Sequence, residues 1–231
     1  MKSQKLYEAD DKLITLIKDN YNILQSLGSF GINLGFGDKT VRDVCEAQNV
    51  DTYTFLAIVN LAINGYKNFD DYSRISIPTV MHYLHASHEY YLDFQLPFIR
   101  KELTEALDEN DNLARLILKL YDEYASEINK HMKYEEKFLF PYVESLMKGE
   151  PTKNYDIETF SKHHGQTDQK LRELKNIIIK YYPEKENNNL LNAVLFDIFN
   201  CEQDLATHCQ VEDYMFVPAV AQIERKLKNE Q

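Results

Sequence analysis

Glycine and proline are scarce in this chain, seven and six in 231 residues, too few turn formers for a sheet of many short strands. The abundant Glu, Lys, Leu and Ile suit long helices instead. No run approaches the roughly 18 apolar residues of a membrane span, and Met1 to Lys12 is charged throughout, without the apolar stretch of a signal peptide. The expected location is the cytoplasm, with no membrane partner. A basic surface is missing as well. Lys and Arg number 26 against 37 Asp and Glu, a formal net charge of -11, and no Lys/Arg-rich run could track a phosphate backbone, so nucleic acid is not an expected partner. The three cysteines, Cys45, Cys201 and Cys209, form no CxxC. Two of them fall on one expected helix, which argues for free thiols in a reducing compartment. No nucleophile triad or phosphate-binding loop is present, and whether the chain is an enzyme is left open.

What is there is helical periodicity. Ser29 to Thr40 (SFGINLGFGDKT) can only be a loop, followed by short helical stretches from Val41 and from Thr52 to Asn64. Residues 1–66 are expected to form a small helical N-terminal domain. Beyond it, Pro78 opens a helix A over about 77–108, with an apolar stripe through Met81, Leu84, His88, Leu92 and Ile99. Helix B carries the stripe Leu113, Ile117, Leu120, Tyr124, Ile128, His131, Glu135, Phe138, Tyr142 and stops at Gly149 and Pro151. Helix C is expected over about 157–182, before Pro183, and helix D over about 190–227. The fold class is all-α: an up-down-up-down four-helix bundle over 76–228 with the N-terminal domain before it. Four stripes that bury one another need no outside face, so a bundle freed of the N-terminal domain is expected to fold.

Two segments share one pattern. His131-Met-Lys-Tyr-Glu135-Glu-Lys-Phe-Leu-Phe-Pro141 on helix B and His208-Cys-Gln-Val-Glu212-Asp-Tyr-Met-Phe-Val-Pro218 on helix D both read H-x-x-x-E-[ED]-x-x-x-x-P. A spacing of four puts His and Glu on one helical face a turn apart. Both pairs fall on the apolar stripe, and a carboxylate buried there needs a cation or a hydrogen-bond partner. Helix C adds His164, in step with Phe160, Leu171 and Ile178, whereas His163 is rotated toward the flank. Helix A adds His88 on the stripe, with His85 as an alternative ligand or a supporting group and His82 on the surface. If the helices alternate in direction, these residues lie at similar depth, about 1.5 Å of rise per residue placing them within about two turns of one another.

His88, His131, Glu135, His164, His208 and Glu212 are too many for one structural zinc, which takes four ligands. Two ions are implied, and imidazole with carboxylate suits iron, the two carboxylates bridging and a position remaining for oxygen, nitric oxide or an oxo group. Neither E-x-x-H nor H-E-x-x-H occurs; His88-Glu89 is followed by Tyr90, Tyr91 and Leu92. That sets aside the other di-iron bundle family and the zinc proteases.

On these motifs the chain from about 76 to 228 resembles the hemerythrin-like domain, and its architecture resembles more narrowly the Repair of Iron Centres family. The resemblance implies two non-haem, oxo- and carboxylate-bridged irons on the six residues named. It also implies a role in oxidative and nitrosative stress: repair of iron-sulfur clusters or donation of iron, with damaged iron-sulfur proteins as partners. A reversible oxygen- or nitric-oxide-binding carrier or sensor is the alternative, and monomer and homodimer are both open. Family members carry a Cys-Cys-Gly-Gly loop before a lysine in the N-terminal domain. Here that loop reads Leu34-Gly35-Phe36-Gly37-Asp38-Lys39-Thr40, so thiol chemistry is not carried over.

Overall fold

The computed structural model describes residues 6–65, 72–108, 110–150, 155–161, 168–183 and 188–229. Four short helices come first: α1 (Leu13–Asp19), α2 (Ile23–Ser29), α3 (Val41–Ala47) and α4 (Thr52–Asn64). Their starts are set by side chains that satisfy otherwise orphaned N–H groups. Thr40 and Asp43 form a reciprocal capping box at α3, and Asp51 accepts from Thr54 N at 2.8 Å at α4. Gly65 ends α4 with φ 61, a left-handed conformation that glycine adopts without strain.

The bundle follows. α5 covers 77–106, capped by Ser76 with proline in its first turn. α6 covers 112–147, capped by Asp111. The third helix is seen as α7 (Ile157–Ser161) and α8 (Asp168–Tyr181), and α9 covers 189–229. α5 packs on α6 and α9, and α8 on α6 and α9, the neighbour pattern of an up-down-up-down bundle. The observed bounds lie within a few residues of those expected from the stripes. The start of the third helix is tied down by the buried Glu224 of α9, which accepts from Ile157 N at 2.8 Å and from the Tyr142 hydroxyl of α6.

Three of the long helices are not uniform. α5, α6 and α9 each widen into a π turn, at Tyr90–Gln95, Glu135–Leu139 and Glu212–Phe216. In each, the last N–H before a proline reaches back five residues: Leu96 to Tyr91, Phe140 to Glu135 and Val217 to Glu212. Pro97, Pro141 and Pro218 come next and have no N–H to give, so an uninterrupted α-ladder is unavailable there.

The apolar core is divided. One cluster joins the N-terminal helices, through Leu16, Leu27, Phe30, Phe55 and Ile58, to Val80, Leu84, Leu139, Val143, Met215 and Val220 at one end of the bundle. The other, with Tyr91, Ile99, Ile117, Ile128, Leu174 and Leu205, fills the far end. The N-terminal helices therefore share a core with one end of the bundle. No described helix is long and apolar enough to cross a membrane, and no disulfide joins Cys45, Cys201 or Cys209.

Candidate metal centre

Between the two apolar clusters lies a polar layer. On α5 the break falls between Leu84 and Tyr91, on α6 between Met132 and Leu139, and on α9 between Leu205 and Val211. His88, Glu135 and His208 fill these breaks and Glu212 follows Val211. All four are buried, the two glutamates completely. One ligand atom from each of the four lies within 4.8 Å of the others. Between α7 and α8 the corresponding stretch of sequence, from Phe160 to Leu171, contains His163 and His164, both outside the described residues.

The contacts run from helix to helix. His88 Nε2 stands 2.9 Å from Glu135 Oε2 and 3.3 Å from His208 Nε2. His131 Nε2 is 2.8 Å from Glu135 Oε1, and His208 Nε2 is 3.3 Å from Glu212 Oε1. Glu135 thus turns one oxygen to His88 and the other to His131. Despite these short separations, neither Glu135 oxygen accepts an aligned hydrogen bond. A solvent-free carboxylate held this way would cost several kcal/mol by order of magnitude without a compensating cation. Metal–N and metal–O bonds of about 2.0–2.2 Å place neighbouring donors on one ion roughly 3–4 Å apart. The donor set therefore fits a metal.

Around these donors the rings are fixed. His88 stacks on Phe140 with 5.6 Å between centroids, and His131 on Phe160 with 6.5 Å. Behind His88 sits Glu136, whose Oε1 is 2.7 Å from Nδ1; His85 Nδ1 reaches the same carboxylate at 2.8 Å from the solvent side. A carboxylate accepting from Nδ1–H fixes the tautomer that leaves Nε2 for a metal. His85 is half exposed and belongs with Glu136 and Glu89, its Nε2 being 3.6 Å from Glu89; the four-residue cluster does not include it. His82 is exposed beside Gly31, as expected of a surface histidine. His208 is held differently: its buried Nδ1 has no hydrogen-bond partner, and Tyr91 meets its ring edge-on at 6.1 Å.

With no cation, protons take over the balancing. Burial alone lowers the His88 pKa, but Glu135 and Glu136 outweigh it and push the value up to about 9. Glu136 responds in the opposite sense: burial raises its pKa, and His88 with His85 lowers it overall. A metal entering this site would displace the His88 proton.

Sequence reasoning did not single out Glu136. The signal was present in the second acid of H-x-x-x-E-[ED], one position past the ligand and so rotated to the flank, where it meets the Nδ1 side of a ring from the next helix. In comparison with known proteins, the family model of the hemerythrin HHE cation binding domain matches residues 79–220, which span the whole polar layer. No curated protein matches the chain.

Proposed function

Since the chain belongs to the hemerythrin HHE cation-binding family, we propose that its polar layer binds two iron ions and that the protein serves the oxidative and nitrosative stress response by donating iron to damaged iron-sulfur proteins. The ligands are His88, His131, Glu135, His164, His208 and Glu212. The observation that carries the reading is Glu135: fully buried, it faces a histidine with each oxygen, the disposition a carboxylate needs to serve two cations at once. Bound iron would supply redox and Lewis-acid chemistry. The chain's own residues hold the ligands in register, exclude bulk water and fix the His88 tautomer through Glu136.

Donation rather than permanent retention is favoured by His131. Its side chain is 27% exposed, while those of His88, Glu135, His208 and Glu212 are sealed. One edge of the site thus reaches toward solvent. The architecture and the motif with its Phe-Leu-Phe-Pro141 resemble the Repair of Iron Centres proteins, whereas the loop before Lys39 departs from them, Leu34 and Gly35 standing where that family has its cysteine pair.

The test has two stages. Metal analysis of anaerobically purified protein should give about two irons per chain, and Glu135→Ala or Glu212→Ala should lower that content; wild-type iron in both variants would remove the bridging assignment. The iron-loaded chain should then restore activity to an iron-sulfur dehydratase inactivated by peroxide, and Glu135→Ala should not. Iron that stays bound in the presence of the damaged enzyme, together with a reversible spectrum under oxygen or nitric oxide, would replace donation by gas binding.

A further inference from the structure

A polar cavity lies against the metal layer on the side covered by the N-terminal helices. Asn22 and Ser26 with Ser29 form its α2 wall, Ala62 its α4 wall, Tyr83, Ser87 and Tyr91 its α5 wall, and Gln203, Asp204 and Thr207 its α9 wall. Ser87 and Ser29 are joined by a hydrogen bond of 3.0 Å across the α2–α5 contact. Two groups in the lining are left over. Tyr91 is 3% exposed and its hydroxyl bonds to no described residue, and the partly buried Asp204 carboxyl accepts no hydrogen bond from a described residue and pairs with no described cation. Buried polar groups of this kind are satisfied by ordered water or a ligand. The interior is small, about 20 Å³, above the roughly 10–15 Å³ minimum for one water.

We propose that this cavity binds one small neutral molecule that both donates and accepts hydrogen bonds, of the water and hydrogen peroxide class, between the Tyr91 hydroxyl and the Asp204 carboxyl. The Tyr91 ring, edge-on to His208, is then the partition between this molecule and the metal layer. The site gives the N-terminal helices a part in the chemistry, since α2 and α4 close the cavity. Asp204 supports the arrangement electrostatically: burial raises its pKa to about 6, and the titratable groups facing it are Tyr83, Tyr90, Tyr91 and Cys201 from α5 and α9, none of them cationic. Occupancy stands on the cavity alone; its bearing on the centre rests on the metal reading.

Both can be tested separately on the full chain. In metal-free protein, magnetisation transfer from water to the Tyr91 ring is expected in the wild type and is expected to vanish in Ala62→Leu, which fills the cavity from α4, away from every ligand. Persistence of the transfer in Ala62→Leu, or its absence in the wild type, overturns the site. In iron-loaded protein mixed with hydrogen peroxide, Ala62→Leu and Tyr91→Phe should slow the spectral change at least fivefold at unchanged iron content. Unchanged rates beside a positive water signal would confine the site to water and overturn its role toward the centre. A chain that binds no iron removes the metal reading and leaves the first measurement decisive.

Discussion

His88 presents Nε2 to the cluster and Nδ1 to Glu136, so the two histidines nearest the start of the layer divide their work: His88 faces the other candidate ligands and His85 steadies Glu136. Outer partners of metal ligands typically change affinity about 10- to 100-fold when lost. Glu136→Ala and His85→Ala should therefore weaken iron binding within that range while stoichiometry at saturating iron stays at two, whereas His88→Ala should lower the stoichiometry itself. Competition titrations with a chelator separate the two results, and loss of an iron in His85→Ala with none lost in His88→Ala would reverse the assignment. Asp204 offers a second check at this scale. Its folded pKa of about 6 lies above the unfolded value of 3.8 because burial disfavours the charge. The native state is thus favoured below about pH 4, and that contribution is lost as pH rises through 6. After allowance for partial exposure the effect is about 1–2 kcal/mol. In the metal-free protein Asp204→Asn should melt about 2–8 °C higher than wild type at pH 7 and no higher at pH 4. Equal melting at both values would place Asp204 in a wetter environment.

At the scale of the element, the repeated H-x-x-x-E motif works together with the proline that follows it. A proline in an α-helix interior is about 3 kcal/mol less favourable than alanine, and in α6 and α9 the π turns at Glu135–Leu139 and Glu212–Phe216 absorb that conflict. The turn begins at the ligand itself, so relaxing it to α geometry would rotate Glu135 or Glu212 relative to the apolar residues beyond. Pro141→Ala with Pro218→Ala removes the barrier to a continuous helix. Circular dichroism should show helix content unchanged or higher, and iron affinity should fall more than tenfold; wild-type affinity would show that packing alone sets the ligand orientation. Much of this layer was legible in the sequence. The stripes gave the helices and the i,i+4 spacing brought Glu135 and Glu212 into the core, because burial of a stripe and the 3.6-residue period are local properties. The π turns were not, since one extra residue in a turn barely alters the stripe: Met132, Glu135, Leu139 and Val143 keep spacings of three and four. Glu136 was not either, because a flanking acid reads as solvated until the neighbouring helix is in place.

For the whole molecule, the divided core decides what the N-terminal helices are for. The sequence favours a self-sufficient bundle, because each stripe is apolar along its length and nothing local reveals which end of the stack another unit covers. In the structure Val80 and Leu84 of α5 and Val220 of α9 are completely buried in the same cluster as Leu16, Leu27, Phe30 and Ile58. Removing residues before Asp70 would uncover these side chains at about 1.5–3 kcal/mol for each one fully exposed. Three or four such exposures approach the whole stability of an ordinary domain, about 5–15 kcal/mol. The shortened chain should therefore be destabilised without metal, and should aggregate or lose fixed tertiary packing while keeping helical signal. Two irons bound only to the native state would offset part of this loss by mass action. Its melting temperature should accordingly depend on iron concentration more steeply than that of the full chain. Thermal melts of both chains at several iron concentrations, with size-exclusion profiles, would check this. A metal-free shortened chain that is monomeric and melts with the full chain would mean that the bundle completes its own core, and that the N-terminal helices cover a surface already stable without them.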